Sequence, residues 1–358
     1  MTILNRYVVI TIIKFFAMAL AMVLGMIIVI DYLTNMDEFI KSQVRAWRAL
    51  QYVLLKLPFI STQLIPVIFL MAILIAFGLM SKHNELMILN AGGISIYSLL
   101  KPVLVISMGV GLLLFFLAET VTPPTILKAN EIDAREIRKT EGASLKRENI
   151  WFKGERQITH IAFFHPSGRT AFGYTRYHFD NAFQLIRRVD AKRLELVDGQ
   201  WILYDGMQQT MNKDTGDLRV EVFTQQKEEL NLKPSQFRKM AHRPEEMSMH
   251  RLAEYIERVE REGYDAQAYR VDLIHKTAYP FTGLVMGIIG MGLTARRKPV
   301  QGLPMAVSIG IAIAFLYWVF QGVCLSLGYG GVLPAAIAAW GANLVFLGGG
   351  TLLLINAE

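Results

Sequence analysis

The chain holds a single cysteine, Cys324, among its 358 residues, so no internal disulfide can staple any part of it. Charge is scarce: 19% of residues are Asp, Glu, Lys or Arg and 53% are hydrophobic, whereas a soluble domain carries roughly a quarter charged residues. The mean hydropathy of +0.34 concentrates in a few long runs. That distribution argues against an ordinary cytosolic enzyme. No GxxxxGKS/T segment occurs, so there is no phosphate cradle for ATP, and HExxH and GxSxG are absent too. No basic run interleaved with aromatics stands out, which argues against nucleic-acid binding despite a net charge of +7. In a membrane protein such a basic excess points first to cytoplasmic anchoring and anionic lipid.

What is present is a set of apolar runs long enough to cross a bilayer, which takes about 20 residues because no lipid-exposed backbone group can go unpaired. The expected spans are Val8–Leu33, Leu57–Met80, Tyr97–Ala118, Leu273–Leu293, Pro304–Leu327 and Val332–Ile355. The first has a signal-like basic start at Arg6 and small residues at Ala17, Ala19 and Ala21. Lys14 interrupts its apolar core and the hydrophobic stretch runs on to Ile30, so it reads as a retained helix. Gly283 and Gly287 form a small-xxx-small pair in the fourth span.

Between the third and fourth spans lies an insert, roughly 121–263, opening with Pro123-Pro124 and a charged helical stretch from Lys128 to Lys139. Strand patterns follow. Arg193 to Val197, then Asp198-Gly199, then Gln200 to Tyr204 reads as a hairpin on a two-residue turn. Pro166-Ser-Gly168, Asp205-Gly206 and Asp214-Thr-Gly-Asp217 are further turn signals, and short strands so separated suggest a small sandwich or jelly roll. An amphipathic helix begins near Ser248, with Met249, Leu252, Ile256 and Val259 on one face. The expected fold class is an α-helical membrane protein with an all-β insert, six transmembrane helices arranged three plus three. Its divisions are 1–122, with a short helix near 84–93; 123–246, the β domain; and 247–358.

Basic residues in short loops set the expected orientation. Lys82 and His83 follow the second span, and Arg296, Arg297 and Lys298 follow the fourth with no acid among them. Both loops and both termini are placed in the cytoplasm, and the β domain outside it. The first loop, with Lys41, Arg45, Arg48 and Lys56, dissents mildly.

Candidate chemistry is thin. His160 and His165 lack a carboxylate or Cys at ligand spacing, and His242, Glu245, Glu246 and His250 straddle a proline and a helix start, so a solvated linker is the preferred reading. No catalytic or metal residue is assigned. The stretch Asn84 to Gly93 is more informative: Glu85, Leu86, Ile88 and Leu89 make a short helix with an apolar face, ended by a glycine pair. It reads either as a loop helix packed on its own bundle or as a lever that docks into a separate motor protein. Lys14, Asp31, Asp272, His275 and Lys276 lie in or beside spans, where charge is expensive. They either snorkel to the interface or, through Lys276 with Lys41 and Arg45, neutralise an anionic lipid headgroup.

The pattern Glu85-Leu-Met-Ile-Leu-Asn-Ala-Gly-Gly93 after a second span resembles the lipopolysaccharide-export permeases of the LptF/LptG (YjgP/YjgQ) family. So do Ile150-Trp-Phe and the run Ser248, Leu252, Tyr255-Ile256, Gly263, Tyr269, Lys276, Pro280. The Trp-Phe start and the Gly330-Gly-Val-Leu-Pro334 turn look more like the LptG branch. The resemblance spans nearly the whole chain. It implies a bacterial inner-membrane protein with a periplasmic β-jellyroll and a paired LptF/LptG-type subunit on an LptB-like ATPase dimer. An LptC-like single-span protein would join at the first and fifth helices, and an LptA-like bridge would receive lipopolysaccharide. Glu85 matches the family's coupling-helix acid, with Leu86, Leu89 and Gly92 beside it; substrate contacts would fall to Lys41, Arg45 and Lys276. The chain departs from LptG members in placing Asp31, Asp37 and Glu38 where they tend to carry lysines. The resemblance implies that this chain binds no cofactor and that ATP and Mg are used by the partner ATPase. The competing expectation is a mechanotransmission subunit that passes force to extracytoplasmic partners without carrying lipid.

Overall fold

The computed structural model describes residues 3–137, 150–153, 156–164, 170–180, 183–197, 200–211, 218–228, 244–261, 265–295 and 303–356. Two compact units emerge: residues 1–138, 244–257 and 266–358 form one, and 139–243 with 258–265 the other.

The first unit is a helical bundle. Among the described residues six helices are long and apolar enough to cross a membrane: Ile3–Thr34, Ala46–Lys82, Tyr97–Ile132, Gln267–Thr294, Pro304–Tyr329 and Ala335–Ile355, numbered here as spans 1 to 6. Spans 2 and 4 are the centre. Phe69, Leu70, Ile73 and Phe77 of span 2 and Met286, Ile289 and Met291 of span 4 are buried in one cluster, joined by Val103 and Leu114 of span 3. Small residues let spans 3 and 4 close up, as expected from the glycine pair. A Cβ on Gly283 would lie 3.2 Å from the Gly111 nitrogen, and one on Gly287 would strike Ser107 Oγ.

Proline inside a span leaves a carbonyl without its donor. Pro66 cannot serve the Thr62 carbonyl, and the Tyr279 hydroxyl of span 4 donates to that oxygen at 3.0 Å. The Pro123-Pro124 pair, expected to open the insert, instead lies inside span 3, which runs on to Ile132. A π-helical turn over Leu117–Val121 immediately precedes it and supplies the looser winding that accommodates two residues without N–H groups. Helical winding then persists through Ile137. The amphipathic helix runs Met249–Arg261; of the expected face Leu252, Ile256 and Val259 are buried and Met249 is half-buried, and Tyr255 is buried beside them. The Glu119 carboxylate accepts the Met249 backbone N–H at 2.9 Å through either oxygen, placing an anion at that helix's N-terminus.

The second unit is one antiparallel sheet of β1 (Ile150–Lys153), β2 (Gln157–Phe164), β3 (Thr170–Phe179), β4 (Leu185–Val197), β5 (Gln200–Met211) and β6 (Leu218–Glu228), in sequence order. Where a jelly roll sets two sheets face to face, the described strands form a single meander. The expected hairpin is there, with Val197 opposite Gln200 and Arg193 opposite Tyr204. Its turn, and those at 166–168 and 214–217, lie outside the described residues, as do His165 and His242. Asp205-Gly206, expected as a turn, sits within β5.

That dipeptide marks a kink instead. Gly173 in β3 and Asp205 in β5 take positive φ, 67° and 50°. Across the kink the alternation of side chains resets: Ala171 and Tyr174, three apart, are both buried, and so are Leu194 and Ala191 on β4. Gly206 is obligatory there, because a Cβ would sit 2.4 Å from both the Asp190 carbonyl oxygen and the Phe223 ring. On the buried face Arg176 pairs with Glu228, which also accepts from the Tyr174 hydroxyl at 3.3 Å, and Arg176 Nε donates to Thr159 at 3.3 Å. An ion pair so enclosed needs those extra hydrogen bonds to offset its desolvation.

Gly206→Ala is expected to destabilise the sheet by about 1–3 kcal/mol through overpacking, read as faster amide exchange across β4 to β6 in the full chain. Burial lowers the pKa of both His160 and His178, and for His178 the Arg176 and Arg187 charges lower it further. Both imidazoles therefore hold a proton less well in the folded chain than in the unfolded one, whose ordinary value is 6.5. Sheet stability is expected to be full above that pH and to fall as pH drops below it, measured by amide exchange corrected for intrinsic rate.

Candidate functional site

The two ends of the bundle differ. One end gathers the start of span 1, the end of span 2, the short helix, the start of span 3 and the end of span 6. There Tyr7 meets Glu85, and the Tyr97 hydroxyl donates to the Leu354 carbonyl at 3.0 Å.

The short helix is Glu85–Ala91, with no buried residue. Asn84 enters it in the left-handed conformation, φ 59°, which asparagine tolerates better than most residues. At its far end the Ile94 N–H bonds to the Leu89 carbonyl and the Gly93 N–H to Asn90, each at 3.0 Å, around Gly93 at φ 77°. This is a Schellman closure, and it needs glycine at 93. Gly92, assigned beside the lever from sequence, has φ −79° and a Cβ there would meet only the helix's own carbonyls at ordinary contact.

Between these two turns the helix has two faces. Leu86 and Leu89 pack inward against the bundle core. Met87 and Ile88 face outward, 67% and 68% exposed. Sequence reasoning placed Leu86 and Leu89 in contact with a partner and left Met87 aside. The signal available was the heptad-like i, i+3 spacing of the two leucines, which marks the face toward the chain's own core. Glu85 stands in the first turn, where the helix dipole favours a carboxylate, and accepts from the Tyr7 hydroxyl at 3.0 Å.

The opposite end carries the cations named from sequence, and they are differently employed. Lys41 closes the helix Met36–Lys41 and Arg45 precedes Ala46 at the start of span 2; both are exposed. Lys276 is half-buried and donates to the Met247 carbonyl at 2.8 Å. Arg48 pairs with Glu136 at 2.9 Å. Asp31, the acid that stood out in an apolar run, is held by Lys56 Nζ at 2.7 and 2.9 Å, and Lys56 lies 4.9 Å from the centre of the Tyr52 ring. Asp272, His275 and Lys276 are engaged by different partners. Asp272 accepts from the Tyr329 hydroxyl at 2.6 Å, while the His275 ring packs edge-on to Tyr279. Among the described residues no group of three or more His, Cys, Asp or Glu side chains could hold a metal ion.

Sequence reasoning missed a polar network inside the bundle. The hydroxyls of Tyr317 and Thr282 lie 2.9 Å apart, Tyr317 donates to Asn343 Oδ1 at 2.8 Å, and Asn343 Nδ2 donates to the Ala278 carbonyl at 2.7 Å. All three side chains are buried, and together they bind spans 4, 5 and 6. The lone Asn in an apolar run was the available signal, since an amide in hydrocarbon must find partners.

A family model described as "Lipopolysaccharide export system permease LptF/LptG" matches residues 6–356. The chain is similar to the lipopolysaccharide export system permease protein LptG of Escherichia coli strain K12, at 24% identity over 348 residues, 94% of this chain and 93% of that one. The protein of the same name from Haemophilus influenzae is 21% identical over 348 residues, covering 96% of each.

The Asp31–Lys56 pair makes a measurable claim. Lys56→Met alone strands a carboxylate near hydrocarbon and is expected to lower stability by about 1–3 kcal/mol, while adding Asp31→Asn recovers most of that loss. Thermal unfolding of the two variants in detergent checks it.

Proposed function

The chain belongs to the lipopolysaccharide export system permease family LptF/LptG, and from that premise we propose that it moves lipopolysaccharide out of the outer leaflet of a bacterial inner membrane. In this reading the short-helix end of the bundle faces the cytoplasm and the β unit lies in the periplasm, the orientation that the basic loops at Lys82-His83 and Arg296 to Lys298 favour. A lipid with several acyl chains resists leaving a bilayer by about 0.8 kcal/mol per CH₂ exposed to water. Extraction therefore needs an outside energy source. The chain carries no phosphate-binding loop, so ATP and Mg act in a separate LptB-like ATPase dimer, and this chain is a non-catalytic subunit without a cofactor of its own.

The observation that carries the proposal is the pair Met87 and Ile88, held outward on a helix closed by Asn84 and Gly93. Two large apolar side chains displayed beside Glu85 suit a groove on a motor protein with a cation at its rim. Leu86 and Leu89 on the opposite face then deliver the push to the core of span 2. A paired LptF/LptG-type permease completes the cavity, an LptC-like protein joins at spans 1 and 5, and an LptA-like bridge receives the cargo. Lys41 and Arg45, exposed at the far end, meet the phosphates of the headgroup, with Lys276 adding positive charge once its carbonyl contact yields.

Met87→Asp with Ile88→Asp is expected to cut copurification with the ATPase and ATP-driven lipopolysaccharide release at least about tenfold, without loss of folded protein. Glu85→Lys is expected to abolish release in the same assay. Normal release by either variant overturns the proposal. ATPase association without any release by the unaltered complex favours the force-transmitting reading.

A further inference from the structure

Span 1 is attached to the bundle unevenly. Only 6% of its most apolar stretch is buried, against 61% for span 2. Its two buried residues, Val8 and Ile12, lie near its start, and Phe16 packs edge-on to Phe69 of span 2 with centroids 6.0 Å apart. Beyond that point Met18, Met22 and Met26 are exposed, until Asp31 reaches Lys56. Such a helix meets the bundle along one narrow stripe, with Leu20 and Ile28 packed between polar grips near its two ends. One of those grips is adjacent to the lever: the Tyr7 hydroxyl donates to Glu85 Oε2 at 3.0 Å, across 78 residues of sequence.

The lever is itself lightly held. It has no buried residue, and its two ends turn on the left-handed positions Asn84 and Gly93. A carboxylate accepts several hydrogen bonds at once. A motor cation can therefore take Glu85 while Tyr7 keeps its own bond, so that cation, carboxylate and phenol form one chain. A hydrogen bond to an ionised group is also shorter and stronger than one between neutral partners.

We propose that Tyr7 is a positioning residue whose hydrogen bond to Glu85 ties the short helix to span 1, so that displacement of the lever moves span 1 as well as span 2. This rests on the reading of the short helix as the point of motor contact. Without the tie, a push on the lever reaches the bundle through Leu86 and Leu89 alone, and span 1 is left behind.

The test compares two conservative changes in the complete complex with its ATPase. Tyr7→Phe keeps the ring and removes only the donor. It is expected to leave ATPase copurification intact and ATP hydrolysis within about twofold, while lipopolysaccharide released per ATP falls at least about tenfold, the scale of one hydrogen bond to a charged group. Glu85→Gln keeps an acceptor for Tyr7 but loses the charge, so it is expected to weaken ATPase association instead. In parallel, spin labels at positions 3 and 91, introduced by Ile3→Cys and Ala91→Cys on a Cys324→Ser background, report the distance between span 1 and the lever. That distribution is expected to broaden in Tyr7→Phe and to stay narrow in Glu85→Gln. Unchanged release per ATP in Tyr7→Phe overturns the proposal, and so does an unchanged distance distribution. An unaltered complex that hydrolyses ATP without releasing lipopolysaccharide, while Tyr7→Phe still broadens the distances, refutes the transport reading and leaves the tie standing.

Discussion

In hydrocarbon every backbone N–H and C=O must find a partner inside the protein, and the bundle is arranged around that requirement. Its interior side chains are placed where the backbone fails to serve itself. Tyr279 supplies the donor that Pro66 removes from the Thr62 carbonyl, and in doing so pins span 4 to span 2. Asn343 adds a side-chain donor to the Ala278 carbonyl at the 3-10 turn around Pro280, and in doing so draws span 6 against span 4. Pro66 thus acts less as a break than as an address for a polar side chain on a neighbouring helix.

The same constraint separates what is rigid from what can move. Spans 2, 3 and 4 share close glycine contacts and a continuous apolar core, while spans 1 and 5 expose most of their surface. Span 5 is tied by the Tyr317 network, and span 1 by one stripe of side chains that ends in the Asp31–Lys56 pair. In a permease that opens to admit a lipid, the lightly packed helices are the ones able to shift without breaking the core. The short helix reaches both classes, through its leucines to the core and through Glu85 to Tyr7.

Charge at the other end of the bundle is mostly committed to the protein itself. Lys56 neutralises Asp31, Arg48 meets Glu136 and Lys276 serves a carbonyl, which leaves Lys41 and Arg45 as the exposed cations among those named for headgroup contact. The acid at the end of span 1 is accordingly an internal ion-pair partner.

Much of this was legible in the residues alone. The spans, the hairpin register around Val197 and Gln200, the buried face of the helix after Ser248 and the close approach at Gly283 and Gly287 all depend on local periodicity, which a chain carries in any context. The short helix was legible too, but not which of its faces is free: Leu86 and Leu89 turn inward only because the core of the bundle lies on that side. Pro123-Pro124 and Asp205-Gly206 misled because each is a local breaker, and whether it ends an element depends on whether a π turn or a neighbouring strand can absorb it. Tyr7 with Glu85, Asp31 with Lys56 and Arg176 with Glu228 were invisible, since each joins residues far apart in sequence. A residue's spacing determines which face it occupies, but its partner is decided only when another element arrives opposite that face.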